Sequence, residues 1–415
     1  MTKFSPSFRL SLCALALAMV GQTHAANAFD ADSPYMLGDW NGQRTALKNQ
    51  GYDFSFGYTG EVANILDSKN TSNHGTAYTG QVAVGAHFDL QKILGWQDTE
   101  AQITITNRDG HDVKNEADAL KGQLSSTQEV YGRGQTTRLT DMWIKKKFLD
   151  QKLDVKVGRF GEGEDFNSAA CDFQNLALCG GQIGNWDAGD QIHNWPVSQW
   201  AARVKYNFTP EVFAQVGVYE YNPENLKRSK GFNLSTDGSH GAILPVELVW
   251  QPKSTVNGLP GEYRAGYYYS TADASVVKNT TKTDHGQGGW VSFTQQLTSV
   301  NGDASRGLSV TGQAVFFDAD TSRVKNMQSL SVAYKGLFDA RPKDELAIGF
   351  SQINVNKDAY VGKDVDTEYN SEIYYGIAAT NWLTVRPNVQ YVRHVGALKD
   401  GNNAWVGGVK FITAF

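Results

Sequence analysis

Tyr52-Asp53-Phe54-Ser55-Phe56-Gly57-Tyr58-Thr59-Gly60-Glu61-Val62 alternates. Tyr52, Phe54, Phe56, Tyr58 and Val62 hold one parity, while Asp53, Ser55, Thr59 and Glu61 hold the other. Successive side chains of a strand point to opposite faces, so this stretch predicts a strand with one apolar and one polar face. The pattern returns in Val82, Val84, Ala86, Phe88 and Leu90 against Gln81, His87 and Asp89, and in Ala101, Ile103 and Ile105 against Glu100, Gln102, Thr104 and Arg108. It returns again in Leu244, Val246, Leu248 and Trp250 against Glu247, and in Leu383, Val385, Val389 and Tyr391 against Arg386, Asn388 and Gln390. Sixteen such segments can be counted, near 52–64, 77–90, 99–108, 137–148, 152–160, 198–208, 211–221, 242–251, 260–271, 288–297, 307–317, 327–335, 344–353, 367–379, 382–393 and 403–415. An even number brings both ends of a closed sheet to one rim.

The connections alternate in length. Asp150, Thr209-Pro210 and Thr380-Asn381 mark brief turns, whereas 109–136 and 161–197 are long. Tight turns on one rim and loops on the other, with strands of about ten residues and aromatics at their ends, are what an outer-membrane barrel requires. A secreted multi-sheet protein also alternates. It would, however, need nearly every strand to be half exposed to water, and no Pro-rich linker divides the chain. The fold expected is therefore all-β: a 16-stranded antiparallel transmembrane β-barrel, residues 52–415, with a short N-terminal helical segment.

Composition narrows the rest. The 43 acidic against 38 basic residues, with no Lys/Arg cluster beyond Lys145, Lys146 and Lys147, argue against nucleic acid as a partner. The longest apolar run, near residues 10–21, is too short for a transmembrane helix. It follows Lys3 and Arg9 and precedes the small residues Ala25, Ala26 and Ala28, so residues 1–26 read as a secretory signal peptide. Residues 27–51 read as a periplasmic or plug segment, with a helix over 40–50 between Asp39 as N-cap and Gly51 as C-cap. Cys171 and Cys179 remain as an even pair in an exported chain and are expected to form a disulfide, closing a short loop for roughly 2–3 kcal/mol.

A barrel of this size is too wide for side chains to fill, so transport is the default function. The inward parity carries Arg108, Asp141, Arg203, Lys205, Glu247, Arg264, Glu372 and Arg386, interleaved with Gln102, Gln215, Gln313, Asn388 and Gln390. Plain hydration of the pore accounts for any one of them. As a set they offer many directional donors and acceptors with little net field, which suits neutral polyhydroxylated solutes. Trp186, Trp195 and Trp200, with Tyr219 and Tyr221, supply rings that can stack on sugars; Trp200, on the lipid parity, fits the interfacial girdle better. The loop 161–197, acidic at Glu162, Glu164 and Asp165, is the candidate constriction, a surface cap being the competing reading.

Several segments taken together resemble the carbohydrate-selective porins of the OprB family. They are Gly38-Asp39-Trp40-Asn41-Gly42-Gln43-Arg44, Gly75-Thr76-Ala77-Tyr78, Thr137-Arg138-Leu139-Thr140-Asp141-Met142-Trp143 and Val157-Gly158-Arg159-Phe160. Gly217-Val218-Tyr219-Glu220-Tyr221-Asn222-Pro223, Leu244-Pro245-Val246-Glu247 and Trp382-Leu383-Thr384-Val385-Arg386-Pro387 complete the series. Asn41 stands where many members have Gly. The resemblance implies passive diffusion of monosaccharides such as glucose through an arginine-lined, partly acidic eyelet, and makes Arg44, Arg108, Arg138, Arg159 and Asp141 eyelet candidates. By strict alternation Arg138 and Arg159 fall on the lipid parity, so carrying them over requires a bulge or a strand end. The terminal Phe415, sharing a parity with Trp405, Val409 and Phe411, resembles the signal read by the barrel-assembly machinery.

The partners expected are small carbohydrates, outer-membrane lipids and that machinery. No cofactor, metal or catalysis is expected, since the mature histidines, among them His87, His193 and His285, form no paired motif. A general or anion-preferring pore is the nearest alternative, and a lectin-like surface binder a more distant one.

Overall fold

A computed structural model describes residues 26–69, 75–179 and 192–415. The expected leader, apart from its last residue, lies outside the described residues, as does Trp186. Sixteen strands close into one antiparallel barrel. They are β1 Tyr52–Ser68, β2 Thr76–Asp89, β3 Thr99–Gly110, β4 Thr137–Phe148, β5 Leu153–Phe160, β6 Gln199–Asn207, β7 Val212–Tyr221 and β8 Gly241–Trp250. The series continues with β9 Gly261–Val276, β10 Asn279–Gln296, β11 Gly307–Phe317, β12 Val324–Lys335, β13 Glu345–Val355, β14 Thr367–Ala378, β15 Leu383–Arg393 and β16 Ala404–Ala414. Each pairs with its sequence neighbours, and β1 against β16 completes the circle, leaving no open edge.

The apolar parity faces outward. Val82, Val84, Ile103, Ile105, Val216, Leu248 and Ile348 are all exposed, as a lipid-facing band requires. Aromatic pairs mark both rims: Trp250 stacks on Tyr263 at 5.1 Å near one, and Tyr391 lies 4.6 Å from Trp405 near the other.

The rims differ less in connection length than the sequence pattern implied. Turns 149–152, 208–211 and 379–382 are short, but 90–98, 251–260, 297–306 and 336–344 on the same rim are longer, and 90–98 holds a helix capped by Asp89. On the opposite rim, β9 and β10 run beyond their expected ends and meet across 277–278. β1 begins and β16 ends on the first rim, the periplasmic one.

Two register details place the disputed arginines. Thr104 faces Asp141 while Ile105 faces Leu139, so Thr140 is an extra residue and the parity of β4 flips above it. Arg138 thereby sits opposite Thr106, on the lumen parity. No such shift occurs in β5. Arg159 pairs with Met142 and Trp200 on the outward side and donates to the Ser198 carbonyl at 2.6 Å, so it is not an eyelet group.

Arg44 is also placed elsewhere. It belongs to the helix Gln43–Asn49 at the periplasmic mouth, where its guanidinium donates to the backbone oxygens of Phe415 (2.7 Å) and Phe54 (2.8 Å) and lies 3.2 Å from the Tyr35 ring centroid. The Met36 amide bonds to Ala414 and the Asn381 amide to Ala31, so the N-terminal segment straps the β1–β16 seam. Arg44→Ala removes two charge-assisted bonds, each contributing roughly 1.5–3 kcal/mol. The temperature at which the barrel loses its compact electrophoretic mobility is therefore expected to fall, with single-channel conductance unchanged. An unaltered transition would show that Arg44 does not hold the seam.

Candidate functional site

The inner wall is not uniformly polar. Phe160, Tyr219, Ile243, Tyr268, Trp290, Val315, Met327 and Ile353 point inward and bury themselves with Phe166, Ala177 and Ile192 of the long loop after β5. Phe166 meets Tyr219 edge-on at 6.0 Å, and Phe160 meets it from another side at 5.5 Å. An inward apolar patch in a water-filled barrel needs a cover, and the loop supplies it. Tyr219 is fully buried beneath that cover, so it cannot stack on a passing solute as its position in the sequence had implied.

Buried carboxylates on the strands hold this loop by its backbone. Glu247 accepts from the Asn167 amide at 2.8 Å, from Trp290 Nε1 at 2.8 Å, from Gln215 Nε2 at 2.9 Å and from Arg264 at 3.1 Å. Across the lumen, Glu372 accepts from the amides of Gln174 (2.9 Å) and Asn175 (2.6 Å). Arg386 pairs with Asp172 at 2.8 Å, Asn388 donates to Gln174 at 2.8 Å, and Gln390 accepts from Asn175 at 3.0 Å. Lys410 donates to the Cys171 and Phe173 carbonyls. Cys171 and Cys179 are disulfide-bonded, as expected. Glu247, Arg264, Glu372 and Arg386 thus position the loop.

The loop 111–136 folds inward as well, which the sequence reading did not foresee. Glu368 accepts from the amides of Leu124 (2.8 Å) and Ser125 (3.2 Å), and Gln128 Nε2 donates to the Glu61 carbonyl at 3.0 Å. The two loops bond to each other through the Leu176 amide to Ser126 (2.9 Å) and the Glu129 amide to Gln174 (3.0 Å). Together they form one ledge. Arg138 fastens its outer edge, donating to the carbonyls of Arg133, Asn225 and Leu226.

Where the long loop leaves β5, its acidic start meets cations from the wall. Lys156 pairs with Glu164 (3.1 Å) and Asp165 (3.0 Å), and Arg203 with Asp154 (2.7 Å) and Asp165 (3.4 Å). Burial raises the Glu164 carboxyl well above the usual range against the pull of Lys156, and Asp141 lies beside it. Lys205 stands nearer the periplasmic rim, 4.5 Å from the Phe213 ring.

Glu162 has no hydrogen-bond partner on either oxygen among the described residues. Burial, with Glu247 nearby, pushes its carboxyl up to about 8. The fold therefore favours the neutral acid. Its contribution to stability is complete below the ordinary carboxylate range and is lost as pH rises through about 8. Glu162→Gln is accordingly expected to remove part of the fall in thermal stability between pH 6 and pH 9. Melting curves with the same pH slope in both proteins would contradict this.

One cavity, about 490 Å³, lies between the ledge and the wall of β2 and β3 on the outer side. Gln81 Oε1 accepts from Arg108 Nε (2.7 Å) and from Trp195 Nε1 (2.9 Å), so one amide orients both groups. The terminal nitrogens of Arg108 have no hydrogen-bond partner among the described residues, while Glu129 and Tyr131 line the same space. Lys410 holds Glu129 at 2.9 Å. Of the thirteen channel residues singled out from the sequence, Arg108 and Trp195 line this cavity. Gln81, Glu129, Tyr131 and Lys410 were not singled out. The length of 111–136 was the signal that could have found Glu129 and Tyr131.

A closed sixteen-stranded sheet with a lipid-facing exterior, narrowed by two inward loops around a cavity of donors, acceptors and rings, defines a substrate-selective porin. The carbohydrate-selective porin model of the OprB family matches residues 73–415. The chain is 49% identical to Porin B of Pseudomonas aeruginosa over 450 residues, covering 100% of this chain and 99% of that one. It is 40% identical to the putative porin QuiX of Acinetobacter baylyi, covering 97% and 98%. The high-pH structure of Pseudomonas putida OprB superposes with a TM-score of 0.90 at 49% identity, over 94% of this chain and all of that one. The chain belongs to the OprB family of carbohydrate-selective porins and is an outer-membrane channel, not an enzyme.

Proposed function

We propose that the channel passes monosaccharides such as glucose by passive diffusion, and that the cavity between the ledge and β2–β3 is where the sugar is selected. The observation that carries this is the pairing of Arg108 and Trp195 on the single oxygen of Gln81, opposite Glu129. A guanidinium with free Nη groups donates to sugar hydroxyls, a carboxylate accepts from them, and an indole and a phenol offer apolar faces to the ring. The lining is net cationic, Arg108, Lys114 and Arg133 against Glu129, so the preference for a neutral sugar over an anion rests on the directional hydrogen bonds and the ring faces.

Liposome swelling tests the reading. Glucose is expected to enter faster than an amino acid or anion of similar size; equal rates would leave a general pore, and a shifted reversal potential in a salt gradient an anion-preferring one. Residues 1–26 act in this reading as a signal peptide removed on export, 27–51 as the periplasmic strap and 52–415 as the barrel, with Phe415 read by the assembly machinery.

A further inference from the structure

A second cavity, about 260 Å³, lies on the periplasmic side of the ledge, between its residues 168–173 and the wall of β9–β14. Its wall is rich in hydroxyls. Ser292, Ser309 and Ser331 face it half-buried, and none makes a side-chain hydrogen bond among the described residues. Other wall groups already pair: Thr294 with Thr311 at 3.0 Å, and Gln313 with Ser329 at 2.9 Å.

Phe173 and Tyr374, edge to face at 5.0 Å, close one end with apolar surface. Tyr374 donates to Glu345 Oε1 at 2.5 Å, and Glu345 itself lines the cavity. The remaining acids are matched, Glu262 by Arg264 (2.7 Å) and Asp172 by Arg386 (2.8 Å). Among the described lining residues, a cation therefore finds one carboxylate without a cationic partner, Glu345.

We propose that this cavity is a second sugar station, which holds a single neutral monosaccharide after it has passed the ledge. The inference rests on the sugar reading above. Each free serine hydroxyl both donates and accepts, as sugar hydroxyls do, and Glu345 accepts from a further one. The volume, below the range of about 300–1,000 Å³ for drug-sized ligand pockets, suits one ring. Arg108 on the outer side is a pure donor, whereas this wall is mixed and acceptor-rich. A sugar can thus exchange one set of partners for the other across the ledge without being fully rehydrated.

Ala333 lines the same cavity and contributes no polar group, so Ala333→Cys can report occupancy. In the full-length, detergent-solubilised protein, D-glucose is expected to slow labelling of this cysteine by a small methanethiosulfonate in a saturable manner. Adding Ser309→Ala and Ser331→Ala should raise the half-protecting glucose concentration roughly tenfold, the effect of two ordinary hydrogen bonds. Arg108→Ala should leave the protection in place. Heat-modifiable mobility confirms that each variant is folded. Protection that survives loss of both serines, or that disappears with Arg108→Ala alone, overturns the second station. Labelling unaffected by glucose overturns it as well: if glucose still blocks conductance, the outer selection site stands, and if it does not, the sugar reading falls too.

Discussion

Glu247→Ala combined with Glu372→Ala is expected to open the channel. The amides of Asn167, Gln174 and Asn175 lose their acceptors. Each buried amide left unpaired costs about 1–3 kcal/mol, so the ledge loses roughly 3–9 kcal/mol of support on opposite sides of the lumen. Trp290 Nε1 and the Arg264 guanidinium lose their shared partner at the same time. The barrel wall is held by its own ladder and should survive. Single-channel conductance should rise, and a trisaccharide excluded by the parent should enter liposomes. Unchanged conductance in a folded double variant would mean that the apolar contacts of Phe166 and the disulfide hold the ledge unaided. Phe166→Ala in the same background would then be the decisive addition, since it creates a cavity costing about 3–5 kcal/mol against Tyr219.

The second large effect is expected from Arg108→Ala. Its Nε is engaged by Gln81 while the terminal nitrogens face the cavity. Hydrogen bonds from a charged donor contribute about 1.5–3 kcal/mol, so the glucose concentration that half-blocks the current should rise at least about tenfold. Arg108→Lys keeps the charge but loses the planar fork, and should fall between the two. If block is unaltered in Arg108→Ala, selection lies elsewhere on the path. If both variants lose block equally, the fork rather than the charge is what the sugar reads.

The barrel was legible because strand alternation is local. Residues such as Val82 or Leu248 face lipid by parity alone, and each of the sixteen segments carries its own copy of that signal. The disulfide and the helix before β1 were legible for the same reason. Parity also correctly kept Arg159 outside, where analogy had drawn it in. The bulge at Thr140 was not legible, since one extra residue leaves no periodic mark, yet it alone turns Arg138 inward.

The site was legible only in its ingredients. Sequence parity identified Glu247, Glu372 and Arg386 as inward groups and so as candidates to touch the solute. What decides whether an inward carboxylate meets water, sugar or a backbone amide is which loop arrives opposite it, and that is a contact between residues far apart in the chain: Glu372 with Gln174, Glu368 with Leu124, Lys410 with Glu129. Sequence by itself therefore determined a closed, lipid-facing, sixteen-stranded channel and its polar interior, because a period of two needs no distant partner. Only the tertiary structure decided which polar groups remain free for a sugar, because a buried charge or amide must be satisfied and the folded loops satisfy most of the wall before any solute arrives.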